Sequence, residues 1–139
     1  MLKKIGLGLL LIWIAAFFFQ PKIENAEVKS NENINAPEIA SILKKACYDC
    51  HSNEANSPWY SAVPPVSYWL VNHVKEGKEE LNFSLWQTFT EKRQDKKRRE
   101  IIEMLEEKEM PLESYLIMHE EAKLTDEEIA KIIDWAKAK

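Results

Sequence analysis

The stretch A-C-Y-D-C-H-S-N-E, residues 46–54, holds both cysteines of the chain and one of its three histidines. Upstream of it, Pro37 stands where a first helical residue should, and Ile39, Ile42, Leu43 and Ala46 follow at i, i+3, i+4 and i+7. That spacing predicts a helix that runs straight into Cys47. Downstream, Pro58 and the pair Pro64-Pro65 punctuate an irregular run, N-S-P-W-Y-S-A-V-P-P. The cluster therefore sits at a helix end, facing a loop.

Cys47-Tyr-Asp-Cys50-His51 has the C-x-x-C-H spacing of c-type haem attachment. Two thiols three residues apart on one helical turn reach the two vinyl groups on a porphyrin edge, and the next residue brings an imidazole under the iron. His51 is then the proximal ligand. Three other readings stand beside this one. A thioredoxin-like C-x-x-C needs a strand before it and a helix after it, whereas here a helix precedes and a Pro-rich loop follows. A zinc site would have to recruit His73 and His119, without the paired spacing of zinc folds. A Cys47–Cys50 disulfide would close too small a loop to stabilise much. The haem reading is preferred over all three.

Outward from the cluster the signals stay helical. Val66, Trp69, Leu70, His73 and Val74 share a stripe, with Gly77 placed to stop that helix. Ser84-Leu-Trp-Gln87 has capping-box form and predicts a short helix over residues 83–89. Residues 91–109 are intensely charged with a thin apolar line at Ile101, Ile102 and Leu105, a surface helix broken at Met110-Pro111. Thr125-Asp-Glu-Glu128 is a second capping box, and Leu124, Ile129, Ile132, Ile133 and Ala136 form the apolar face of a terminal helix. The fold class is all-α, a small cytochrome-c-like domain of four or five helices over residues 37–139. So few short helices bury little surface by themselves. Something else is expected to fill the middle.

At the other end, Lys3 and Lys4 precede an uncharged run from Ile5 to Phe19, closed by Gln20-Pro21. A positive start followed by an apolar run is an export pattern. Residues 1–20 are read as an uncleaved membrane anchor, with the membrane met through residues 5–19; the alternative is a cleaved signal and a soluble periplasmic protein. Residues 21–36, polar and rich in Asn and Glu, read as a flexible tether that lifts the domain off the membrane. Export agrees with covalent haem attachment, which in bacteria takes place outside the cytoplasm. A formal net charge of −4 does not suggest nucleic acid as a partner, since that would call for a basic face with base-reading side chains, so no such partner is expected.

C-Y-D-C-H-S-N-E, P-W-Y, P-V-S-Y-W-L-V-N-H-V-K-E-G-K-E-E-L-N-F-S-L-W, M-P-L-E-S-Y-L-I-M-H-E-E-A-K-L-T-D-E-E and a final D-W, in that order, resemble the small bacterial haem-binding domain family, relatives of c-type cytochromes. The resemblance covers residues from about 37 to 137. It implies one covalently attached haem c and electron transfer with a redox partner protein that it does not identify. No catalytic residue is expected, since the protein is not read as an enzyme.

The sixth iron ligand decides what such a site does, because a six-coordinate iron suits electron transfer and a five-coordinate one binds small ligands. Met110, just before Pro111 in a loop like the axial Met of many cytochromes c, is the first candidate. His73 is the second, and His119, Met118 or an open site follow. The alternative function is a five-coordinate haem protein that binds or senses small ligands or has weak peroxidase activity. Met104 and Met118 fit best as packing residues. Trp59, Tyr60, Tyr68, Trp69 and Tyr115 are candidates to line the haem, against the plain reading of aromatic core. The basic block from Lys92 to Arg99 could dock an acidic partner, or be a solvated helix face.

Overall fold

The structure is a computed structural model and describes residues 2–26, 34 and 36–138. The side chain of Lys3 and, in the expected tether, residues 27–33 and 35 lie outside the described residues. Seven α-helices occur among them: α1 (Leu2–Phe18), α2 (Pro37–Ala46), α3 (Tyr48–His51), α4 (Val66–Glu80), α5 (Glu91–Glu106), α6 (Glu113–Leu116) and α7 (Asp126–Lys137). Three 3-10 turns, Trp59–Ala62, Phe83–Thr88 and Glu120–Ala122, join them, and no strand is present among the described residues. The all-α class is as expected.

Local chemistry accounts for most of the helix ends. Pro37 opens α2, and Ile39, Ile42, Leu43 and Ala46 are its buried stripe, as their spacing predicts. Thr125 accepts from the Glu128 backbone at 3.2 Å while the Glu128 carboxylate accepts from the Thr125 backbone at 2.9 Å, a complete capping box for α7. The first predicted box does not form. Ser84 is buried and its hydroxyl accepts from the Asn53 backbone at 3.0 Å, so Asn82 caps the turn instead, through Ser84 N–H. Ser84 thus ties this turn to the loop after the cysteine cluster.

Two further ends differ from expectation. Gly77 does not stop α4, which continues to Glu80. Helix α5 ends at Glu106, before Met110-Pro111, because Lys108 turns left-handed at φ 60°. Lys108 N–H then reaches the Leu105 carbonyl at 3.3 Å, and Glu109 N–H the Met104 carbonyl at 2.9 Å, the two bonds of a Schellman motif. The backbone of Met110 also reaches Met104 O, at 3.3 Å, so the methionine loop is folded back on the end of α5.

The main core gathers Ile39, Ile42 and Leu43 of α2, Tyr48, the aromatics Phe83, Trp86 and Phe89, Leu105 of α5 and Ile132 of α7. Trp86 lies against Trp135 at 5.6 Å between ring centroids, and the Arg98 guanidinium sits over both rings while donating to the Trp135 and Ala138 carbonyls at the end of α7. A smaller, separate cluster consists of Ala55, Leu70 and Val74, with Cys50, Tyr60 and Ile23 packed against it. Residues ahead of position 27 also touch the rest of the fold. Trp13 donates to Pro64 O at 3.2 Å, Asn25 donates to Ala55 O at 2.8 Å, and Lys78 reaches Glu24 O and Asn25 Oδ1. Among the described residues, no helix is long and apolar enough to cross a membrane.

Candidate functional site

Against the main core lies a cavity of about 500 Å³, within the ~300–1,000 Å³ usual for cofactor sites. Leu43, Ile101, Leu105, Phe83, Leu124 and Ile132 give it an apolar wall. This is the middle that short helices alone could not fill.

One side of the cavity is the cysteine cluster. Helix α2 stops when Cys47 leaves helical geometry at φ −125°, and Cys50 and His51 N–H both bond to Cys47 O, at 3.2 and 2.9 Å. The five residues thus make one tight turn off the end of α2, with Cys47, Asp49, Cys50 and His51 all on the cavity lining. Both cysteines are free thiols. Burial pushes Cys47 up to about 12, with Cys50 adding to it. Burial, then the Asp49 charge, pushes Cys50 up to about 11.

His51 Nδ1 lies 3.0 Å from the Leu81 carbonyl. A carbonyl only accepts, so Nδ1 carries the proton and Nε2 keeps the lone pair. Burial pushes the imidazole below its ordinary range; the Leu81 and Gly77 carbonyls oppose that, and the nearby Lys97 charge adds to it. The ring is neutral at pH 7. An imidazole with its Nδ1–H tied to a backbone carbonyl is oriented to give Nε2 to a metal. Leu81 comes just after the end of α4, and Gly77 in the same helix is where α4 meets the cysteine turn.

The structure brings His73 and Met110 onto the same cavity lining as Cys47, Cys50 and His51. His73 is half-buried, its Nδ1 3.1 Å from Trp69 O, so its Nε2 is likewise the lone-pair nitrogen. Met110 arrives through the folded-back end of α5, and Met104 of α5 also lines the cavity. His119 and Met118 are not on the lining. His119 Nε2 is held by the Tyr60 hydroxyl at 2.6 Å and its Nδ1 faces Glu121 at 3.0 Å, and Met118 is half exposed.

Of the five candidate aromatics only Tyr115 lines the cavity. It donates to Asp49 Oδ2 at 2.7 Å and stacks on His119, while Trp59 is 73% exposed and Tyr68 and Trp69 face largely outward. The stripe expected on α4 is also rotated. Ser67, Leu70 and Val74 are its buried residues; Val66 and Trp69 are exposed. The basic block is not one solvated face either. Lys97 is buried against the cavity, Arg93 covers Phe89, and Arg98 packs on the two tryptophans. Sequence spacing did not single out Leu81 or the Asp49–Tyr115 pairing, since each contact joins distant parts of the chain, and it did not distinguish Lys97 from the rest of its basic block.

An all-α domain carries an apolar cavity with two thiols and an open imidazole nitrogen on its wall, a lining suited to an apolar prosthetic group that bears a metal. The haem-binding domain family model matches residues 11–138. The chain belongs to that family, and the match extends N-terminally beyond the stretch from about 37 to 137 that carried the resemblance. No curated protein and no solved structure matches it. The residues present fit haem: the cavity's size, its apolar walls and the Nε2 of His51 meet the needs of a porphyrin and its iron.

Proposed function

We propose that the chain carries one haem c, joined through thioether bonds to Cys47 and Cys50, and serves as a one-electron carrier. The observation that carries this reading is the His51–Leu81 bond, which orients the imidazole beside two free thiols on one apolar lining. Haem iron, when bound, supplies a centre that gives and takes one electron with little rearrangement if it has two axial ligands. His51 is the first of these and Met110 the second, with His73 as its competitor. Leu43, Leu105 and Ile132 exclude water from the site, which keeps reorganisation small. That a sulfur and a second imidazole nitrogen share the lining with His51 supports a six-coordinate carrier over a five-coordinate ligand binder.

The location proposed is the outer face of the cytoplasmic membrane, with the apolar residues 5–19, most of them in α1, as the anchor or, if cleaved, as an export signal. The redox partner is another protein. The test is expression with haem-attachment machinery. A haem-stained band that survives denaturing electrophoresis in the wild type and is lost in Cys47→Ser/Cys50→Ser supports covalent attachment; a wild type without it defeats the reading. A weak far-red band of the ferric protein, lost in Met110→Ala and kept in His73→Ala, identifies the methionine. Ready binding of carbon monoxide by the ferrous wild type would overturn the carrier assignment.

A further inference from the structure

We propose that Lys97 binds a propionate carboxylate of the haem, keeping Glu100 and giving up Glu80 to do so. The proposal rests on the covalent-haem reading above. Haem carries two carboxylates, which need a cation or water when the rest of the ring is buried. The cavity offers little else. Its ionised lining side chains include Asp49, Glu76, Glu80 and Glu100, and among the described residues on that lining Lys97 is the only Lys or Arg. Other basic side chains nearby are engaged off the cavity: Arg98 on the carbonyls of α7, and Lys78 on Glu24 and Asn25.

Lys97 is placed for this by an inversion of the pattern of α5. In a helix whose charged residues mostly face water, its side chain is 10% exposed. A buried ammonium needs charged or polar partners, and it has two of unequal quality. Glu100 is close, 2.7 Å away one turn along α5. Glu80 is 3.5 Å away with a side chain 81% exposed, a loose contact that water can replace. An ammonium has three donor positions, so Lys97 can hold Glu100 and accept one further carboxylate oxygen. Without it, a propionate would enter a cavity whose fixed charges are negative, and would be repelled. Lys97 therefore supplies the cationic partner that the carboxylate edge of the haem needs on this lining.

The contact also acts on the iron. A propionate whose charge is neutralised by Lys97 does less to stabilise the ferric state, so removing the lysine lowers the midpoint potential. Resonance Raman spectra of the propionate bending modes, together with redox titrations, test this on wild-type holoprotein, Lys97→Met, Lys97→Arg and Glu100→Gln. Lys97→Met is expected to shift the propionate band and lower the midpoint, and Lys97→Arg to restore both in large part. Glu100→Gln, which frees the ammonium from its competitor, is expected to move both in the opposite sense; it keeps the test decisive if Lys97→Met does not accumulate. A propionate band unmoved in every variant, with haem still stained on a denaturing gel, overturns the proposal and leaves the covalent reading intact. A lowered midpoint with an unmoved band overturns it too, since it marks a charge acting at a distance. Absence of haem from the wild type overturns both.

Discussion

Gly77 lies directly against the carbonyl of Cys50: a β carbon on it would meet that oxygen at 2.7 Å and the Cys50 Cβ at 3.3 Å. The glycine is therefore a contact surface within α4, and the obstacle is backbone, which cannot turn aside as a flexible side chain could. Gly77→Ala is expected to push α4 from the cysteine turn and stretch the His51–Leu81 bond. The gain in helix propensity, ~1 kcal/mol, is outweighed by overpacking, so a net loss of about 1–2 kcal/mol is expected. Thermal denaturation of the haem-free protein and the yield of attached haem should both fall. A variant as stable as wild type would show that the turn can move freely.

The two thiols give a pH prediction for the haem-free protein. With Cys50 at about 11, its thiolate fraction at pH 8 is about one in a thousand, against roughly a quarter for a free cysteine near 8.5. Iodoacetamide should label Cys50 far more slowly than free cysteine at pH 8, and Cys47 more slowly still. The sign for stability follows. Both thiols hold their protons more tightly folded than unfolded, so their contribution is fully present below about pH 8.5 and declines as pH rises toward 11–12. Chemical denaturation at pH 7 and pH 10 should show the loss, and Cys47→Ser/Cys50→Ser should reduce it.

Tyr115 ties the methionine side of the cavity to the cysteine turn through its hydroxyl on Asp49, which also accepts from the Asn56 amide side chain at 2.8 Å. Tyr115→Phe removes a bond to a charged acceptor that keeps one other partner. A loss of about 1–2 kcal/mol is expected, seen as a lower melting temperature. Asn56→Ala, removing the more exposed of the two contacts, should cost less.

Lys108 holds a left-handed conformation that costs an L-residue ~1–2 kcal/mol, and Lys108→Gly relieves it against a larger unfolded-state entropy. A net gain of about 0.5 kcal/mol, or a melting temperature higher by ~2–4 °C, is expected. Lys108→Val should lower it, since a β-branched residue tolerates positive φ poorly. The opposite order would mean that the Schellman turn does not limit the end of α5.

Much of the fold was legible where the deciding interaction is local. Pro37 and the i, i+3, i+4 spacing of Ile39, Ile42 and Leu43 specify α2, and Thr125 with Glu128 specifies the start of α7, because each partner lies within one or two turns. The failures share a cause. Ser84 looked like a cap but serves Asn53, 31 positions away, and Gly77 looked like a stop but makes room for Cys50. In both places a contact across the fold outcompeted the local preference that spacing reports.

The sequence by itself determined that two thiols and an imidazole occupy one turn at a helix end, because five adjacent residues cannot be far apart. It determined the all-helical class as well, through periodicity and caps. Only the tertiary structure decided which nitrogen of His51 is open, because its partner Leu81 stands 30 positions on. The same holds for His73 and Met110, which share the cavity, and for His119, which Tyr60 claims from 59 positions away. It also turned Lys97 inward from a charged helix that, read alone, belongs to water. Such choices depend on which surfaces meet when the helices pack round the cavity, and helix periodicity carries no record of them.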